Sequence, residues 1–316
     1  MRAALRAGIG LSYECNVGSC GSCKLELVAG EVVSNWPDAP ALGERDLARK
    51  RVLGCQSRPT GDCTIKARAA PHYASACLPQ RLRATLLATR ELTHDMREFR
   101  FALPAATPFL PGQYALLYLP GVDGPRAYSM SDIAQGQASW DFIIKRTPDG
   151  AATGALFDNL QPGDSIAIDG PYGLAYLRTD SPRDIVCIAG GSGLAPLVSI
   201  ARGVAATPAL DGVRLQLFYG GRAARDICGD DLLRDLPGYG ERFLFHPIVS
   251  MPDAAAPDPW SGKVGFVHEL ALETIGLRLP EHEVYFAGPP AMAQAVQRML
   301  IQQKVPQSQI HFDAFY

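Results

Sequence analysis

Four cysteines in this sequence are spaced to hold metal. Cys15, Cys20 and Cys23 form a C-x4-C-x2-C loop, and Cys55 follows about thirty residues on, in Leu53-Gly54-Cys55-Gln56. Three thiolates in a tight loop with a distant fourth is the spacing that binds a plant-type 2Fe–2S centre, two sulfurs to each iron, which moves one electron at a time. A loop wrapped around a cluster needs positive φ and close backbone approach so that N–H groups can face the sulfurs; Gly18 and Gly21 stand where those bends fall. The competing readings are a structural zinc site and plain buried thiols. Zinc sites usually pair one short C-x2-C knuckle with another, which is not the spacing here.

Three further stretches could bind a phosphorylated cofactor. Arg126-Ala127-Tyr128-Ser129 offers a cation for a pyrophosphate, an aromatic face for an isoalloxazine and a hydroxyl for its edge, on a stretch that reads as strand. The same four residues would also make an ordinary exposed strand. They gain meaning from Gly150-Ala151-Ala152-Thr153, where a glycine turn opens a helix whose free N–H groups can hold a phosphate. Gly190-Gly191-Ser192-Gly193 follows a continuous apolar run, Asp184 to Ala189, and leads into a helical stretch, the context that makes a glycine run a dinucleotide-phosphate candidate. It departs from G-x-G-x-x-G, because Ala195-Pro196 stand where the third glycine would fall, and a plain strand-to-helix turn is an equal reading. Gly288-Pro289-Pro290 after Val284 to Ala287 marks a second such junction. The chain ends on Phe315-Tyr316, where a polar tail is the usual choice, so an aromatic there is expected to pack on something flat or to plug the core. The six histidines show no metal spacing, and no Ser/His/Asp or paired-carboxylate set stands out.

The elements that must position these groups fall into three kinds. From Lys24 to Val33 the pattern is strand, turn, strand; Gly43 to Lys50 reads as a short helix and Cys63 to Ala67 as a last strand. Arg68 to Leu82, with two prolines and no period, reads as a linker. Phe99, Phe101 and Leu103, then Trp140, Phe142 and Ile144, alternate with other residues. With Arg83 to Arg90, Gln113 to Leu119, Arg126 to Met130 and Ser165 to Asp169 they predict about six antiparallel strands, enough to close a small barrel. After Pro182, buried strands alternate with helices in the manner of a doubly wound parallel sheet. At 316 residues the chain has room for two or three domains. The boundaries read as 1–70, 80–180 and 181–316. A net charge of −2 without a basic block argues against nucleic acid. No apolar run is long enough to span a bilayer. Cys63, Cys77, Cys187 and Cys228 lack paired spacing and suit a reducing cytoplasm.

The order of these modules resembles the reductase components of bacterial multicomponent aromatic oxygenases. Tyr13-Glu14-Cys15, Trp36-Pro37-Asp38-Ala39-Pro40, Arg126-Ala127-Tyr128-Ser129-Met130, Ala287-Gly288-Pro289-Pro290 and Ile310-His311-Phe312-Asp313-Ala314-Phe315 are similar to segments of the carbazole dioxygenase and toluene monooxygenase reductases. The resemblance implies a multidomain α+β and α/β fold: a truncated β-grasp 2Fe–2S ferredoxin domain, an antiparallel barrel for FAD and a doubly wound sheet for NAD(P)H. It also implies that Arg126, Tyr128 and Ser129 bind FAD with Thr153 at its pyrophosphate, and that Gly190 to Gly193 hold the nicotinamide nucleotide. Lys145, Gly150, Arg222, Gly288 and Pro289 count among the cofactor-binding positions, and Tyr128 and Tyr316 as the catalytic aromatics, the terminal one covering the flavin. Two departures stand out. Many relatives of this kind carry cysteine where this chain has Ala287, which leaves a catalytic role for that position in doubt. Their cluster domain also opens with a β-hairpin, whereas Met1 to Gly8 here reads as the end of an uncapped helix. The expectation is that the natural start lies upstream of Met1.

A nicotinamide delivers two electrons at once and an iron–sulfur centre accepts one, so a flavin between them divides the pair. The expected acceptor is a ferredoxin or the oxygenase itself. Glu14, Glu26, Glu31, Asp38 and Glu44 either steer that docking or form an ordinary solvated face. Two other functions fit the same residues: the same electron path serving a non-oxygenase acceptor, and a redox sensor without turnover. No acid closes the strand at Leu215 to Tyr219, and Arg222 could accept a 2′-phosphate, which would favour NADPH. The resemblance favours NADH.

Overall fold

The structure, a computed structural model, describes residues 1–255 and 259–314. The predicted aromatic end, Phe315 and Tyr316, lies outside the described residues.

The first unit is a small ferredoxin-type sheet. It comprises α1 (Arg2–Arg6), β1 (Lys24–Ala29), β2 (Val32–Ser34), α2 (Glu44–Ala48), β3 (Arg51–Leu53), β4 (Ser57–Pro59) and β5 (Thr64–Lys66). β1 lies antiparallel between β3 and β5, while β2 pairs with β4. All three residues of β5 are exposed. The cysteine loop precedes β1 and bends where the glycines stand, Gly18 at φ 99° and Gly21 at φ 79°. Gly54 N–H donates to the carbonyl of Cys23, which draws the fourth cysteine to the other three.

The linker is shorter than the sequence reading, since a long strand begins at Gln80. The barrel is built from β6 (Gln80–Glu91), β7 (Met96–Ala102), β8 (Tyr114–Tyr118), β9 (Arg126–Ser129), β10 (Ser139–Lys145) and β11 (Ser165–Tyr172), with α3 (Ala151–Gly154) before its last strand. The order is β10-β7-β6-β11-β8-β9, and an antiparallel bridge between Met130 and Phe142 closes the ring. One core fills it, with Phe99, Phe101, Trp140 and Phe142 fully buried. β10 departs from simple alternation, because Asp141 and Ile143 are buried too. Its outer face is covered: Ile143 and Met96 belong to the core of the following unit, and Asp141 meets the Arg100 guanidinium at 2.6 Å.

The third unit is the parallel sheet. Its strands are β12 (Ile185–Gly190), β13 (Leu215–Gly221), β14 (Phe243–Val249), β15 (Lys263–Val264), β16 (Glu283–Gly288) and β17 (Ile310–Ala314), in the order β15-β14-β13-β12-β16-β17. α4 (Leu194–Ala206), α5 (Asp230–Arg234), α6 (Val267–Ile275) and α7 (Pro290–Gln302) complete it. Alternate side chains of β12 feed two cores, Cys187 and Ala189 on the face of α4 and α5, Val186 and Ile188 on the face of α6 and α7. That double burial is why the strand reads as one apolar run. Strand order reverses between β12 and β16, the switch point where such sheets open a binding crevice at their carboxyl ends.

Candidate functional site

The four predicted ligands come together. Cys23 and Cys55 are buried with Sγ atoms 3.3 Å apart, and Cys15 and Cys20 form a second, half-buried pair. In each pair one thiol donates to the other, so that Cys15 falls to about 6 and Cys23 is also lowered, while Cys20 and Cys55 are pushed up. Cys20 N–H points at the Cys15 sulfur and Ser22 N–H at the Cys20 sulfur, each at 3.4 Å. Asn16, one residue past the first ligand, is 1% exposed, and neither atom of its amide has a partner among the described residues. Paired sulfurs, backbone donors aimed at them and an orphaned amide fit a cluster enclosed by the loop.

A cavity of about 420 Å³ lies between all three units. β9 contributes Arg126, Ala127, Tyr128 and Ser129, and β10 contributes Ile143 and Lys145. Thr147 and the turn into α3, Gly150 to Thr153, form another wall. Ser192 enters from the glycine run after β12, Phe312 and Asp313 from β17, and Glu14, Cys15 and Val17 from the cysteine loop, with Tyr114 of β8 beside them. Thr153 Oγ1 accepts the N–H of Thr147 at 3.1 Å, and this bond fixes the turn before α3. Arg126 donates back to the carbonyls of Asp123, Gly124 and Pro125 and is otherwise exposed. Burial, opposed by Arg126, pushes the Tyr128 phenol up to about 12, which keeps it neutral in the working range. Lys145 Nζ lies 3.0 Å from Asp95. An apolar and aromatic hollow with a cation at one end and a hydroxyl-lined turn at the other fits a flavin dinucleotide.

The crevice at the switch point joins this cavity. A Cβ on Gly193 would stand 2.0 Å from the Ala287 carbonyl oxygen, so only glycine lets the turn after β12 pass this close to β16. Gly190 lies beside Pro289, and Gly288 ends β16. Arg222 is a different case, since it does not line the cavity and its N–H donates to the Asp226 carboxylate at 3.1 Å. Sequence reasoning missed Tyr114, Thr147, Val17 and Ile143 as walls. Tyr114 read simply as part of a strand, and nothing in its neighbours in sequence shows that it faces the cysteine loop. His94, Asp95 and Asp226 come within 4.8 Å of one another, a grouping that histidine spacing gave no sign of.

Family models match the chain in the same three parts: a 2Fe-2S iron-sulfur cluster binding domain over residues 1–60, an oxidoreductase FAD-binding domain over 83–176 and an oxidoreductase NAD-binding domain over 187–298. The chain is 37% identical over 324 residues to a ferredoxin–NAD(P)+ reductase of Metapseudomonas resinovorans, a match covering 99% of this chain and 93% of the relative. The chain belongs to the oxygenase reductase components. It is also 38% identical over 319 residues to the ferredoxin–NAD+ reductase component of the alkene monooxygenase system of Xanthobacter autotrophicus, covering 100% and 94%. Among solved structures, the ferredoxin reductase in carbazole 1,9a-dioxygenase superposes with a TM-score of 0.90 at 37% identity, covering 100% of this chain and 92% of that one. The reductase thus carries FAD, a 2Fe–2S cluster and a site for a nicotinamide nucleotide, as its motifs predicted, and the zinc and plain-thiol readings fall away.

Proposed function

We propose that this reductase takes a hydride from NADH at the carboxyl end of β12 and delivers single electrons from a cluster held by Cys15, Cys20, Cys23 and Cys55 to a ferredoxin or to an aromatic-ring oxygenase. The observation that carries this is the shared cavity: Glu14, Cys15 and Val17 wall it on one side and Ser192, Phe312 and Asp313 on the other. Bound there, a flavin supplies the conversion between two-electron and one-electron chemistry. The protein's own part is positional. Arg126 turns from its own carbonyls to the pyrophosphate, Tyr128 packs its neutral ring along the isoalloxazine, and Ser129 bonds its edge. Gly150 and Thr153 shape the phosphate turn, and Lys145, held by Asp95 until the nucleotide arrives, stands over the glycine run Gly190 to Gly193. Gly288 and Pro289 keep the facing strand end close, and Tyr316 is proposed to cover the flavin.

The three units are proposed to divide at 1–70, 80–180 and 181–316. Names of relatives support the acceptor class, since they serve dioxygenases and monooxygenases of carbazole, anthranilate, phenol, naphthalene and alkenes. NADH is the proposed donor, because the Arg222 backbone is tied to Asp226, a carboxylate that would face a 2′-phosphate poorly. No helix among the described residues is long and apolar enough to cross a membrane. A reducing cytoplasm suits eight cysteines that form no disulfide.

The test is a visible and EPR spectrum of the metallated, flavin-loaded protein before and after anaerobic NADH. Bleaching of the flavin followed by a one-electron iron–sulfur signal is the expected result. Flavin bleaching with the iron left oxidised would end the proposal. NADPH acting as well as NADH would remove the donor preference alone.

A further inference from the structure

Tyr114 opens β8, and its side chain stands where the two redox sites meet. Its ring walls the flavin cavity, and its hydroxyl donates to the carbonyl of Glu14, the residue whose peptide leads directly into Cys15. The residue is buried, and burial keeps its phenol protonated and therefore a donor. Cys15 itself lines the cavity next to this contact, so the peptide that the Tyr114 hydroxyl holds is the one that places Cys15 in the cavity wall. The loop beyond that peptide is stiff: the Glu14 carboxylate accepts from Ser22 Oγ at 2.8 Å, and Ser12 Oγ donates to the Ser22 carbonyl at 2.9 Å. A second tether, which does not line the cavity, joins the loop to the barrel where Gly173 N–H donates to the Tyr13 hydroxyl at 3.1 Å.

We propose that Tyr114 is the positioning residue for electron transfer from flavin to cluster, its hydroxyl fixing the Glu14–Cys15 peptide so that Cys15 stays in the cavity wall. In each passage one electron leaves the reduced flavin and one ferric ion becomes ferrous. Two passages, with the cluster discharging its electron to the ferredoxin or oxygenase acceptor between them, would empty the flavin of the pair that NADH supplied, and the single proton that arrived with the hydride would be released to water. This rests on the function proposed above.

The experiment uses the holoprotein and two variants, Tyr114→Phe, which keeps the ring and loses the donor, and Tyr13→Phe, which removes a loop tether outside the cavity. Anaerobic stopped-flow with NADH follows flavin bleaching and cluster reduction separately. Hydrogen exchange of residues 14–17 and the cluster midpoint potential are measured on the same preparations. Losing one positioning hydrogen bond should slow cluster reduction about tenfold relative to flavin reduction in Tyr114→Phe, and less than about twofold in Tyr13→Phe. Exchange at 14–17 should rise in Tyr114→Phe with the potential unchanged. Equal rates in Tyr114→Phe and wild type overturn the proposal, as does an equal loss in both variants, or a loss explained by a shifted potential. A wild-type cluster that NADH never reduces sinks the underlying function instead.

Discussion

Asp132 is a buried carboxylate at the seam between barrel and nucleotide sheet, 8% exposed, with Oδ1 unpartnered among the described residues. Its carbonyl accepts from Ser199 Oγ of α4 at 2.6 Å, so its backbone is useful where its charge is not. Burial, reinforced by the Asp141 charge and opposed by Arg202, raises its pKa from 3.8 to about 8. Between those two values the folded protein holds a proton that the unfolded chain gives up. The stabilisation linked to that proton is present in full below about pH 4 and is lost as pH climbs through 8. Asp132→Asn should therefore match wild type in melting temperature only at or below about pH 4. By pH 9 it should be the more stable protein, by an amount on the order of a few kcal/mol. Melting curves of both proteins across that range check it; parallel curves would mean that the carboxylate is ionised at no cost. Nothing in the sequence marks Asp132, because its perturbation comes chiefly from burial against α4, far away in the chain, and only secondarily from the charge of Asp141 on β10. The cluster cysteines were legible for the opposite reason: a tight metal loop writes its geometry into local spacing.

α1 shows how an element can contradict its own local signals. It has five residues, no side-chain cap and no acid in its first turn, and such a helix is expected to fray. Packing holds it instead. Leu5 is buried, Arg2 donates to the Tyr118 hydroxyl at 2.6 Å and to the Cys55 carbonyl at 3.1 Å, and Arg6 pairs with Asp169 of β11 at 2.5 Å. The bonds to Tyr118 and Asp169 tie the cluster unit to the barrel, while the bond to the Cys55 carbonyl holds the helix against the fourth cysteine. Arg6→Ala would strand a carboxylate that is 1% exposed, with only the Tyr172 hydroxyl still donating to it. The expected cost is about 2 kcal/mol, less than for a fully buried pair because Arg6 is itself partly exposed. Urea unfolding with the cluster chromophore as probe measures it, and the cluster signal should be lost before the barrel unfolds. The barrel strands were readable where one face met the core. β10 was misread on its outer face, because burial of Ile143 and Asp141 depends on a neighbouring unit that no window of sequence contains.

Across the whole molecule the proposed cofactor sites lie in series, but the walls that form them are unequally shared. Three of the residues around the proposed flavin cavity belong to the cysteine loop, whereas β8, β9, β10 and the turn into α3 supply most of the rest; the main barrel core does not include Cys23 and Cys55, which share their core with Tyr114, Leu116 and Tyr172 on the outer side of the barrel. Removing the cluster should therefore cut the electron path without dismantling the flavin site. Cys55→Ser takes away a ligand that is 2% exposed and leaves its partner Cys23 without the second sulfur that fixes an iron. Ferricyanide is expected to take electrons from the flavin directly, and cytochrome c, a one-electron acceptor, to be reduced by way of the cluster. The variant should retain at least about half of its NADH-dependent ferricyanide reduction and fall at least about a hundredfold in cytochrome c reduction, a loss set by the missing one-electron site. If both activities fell together, the cluster loop would be a structural part of the flavin site, and the serial arrangement read from the cavity would have to give way to a single cooperative centre.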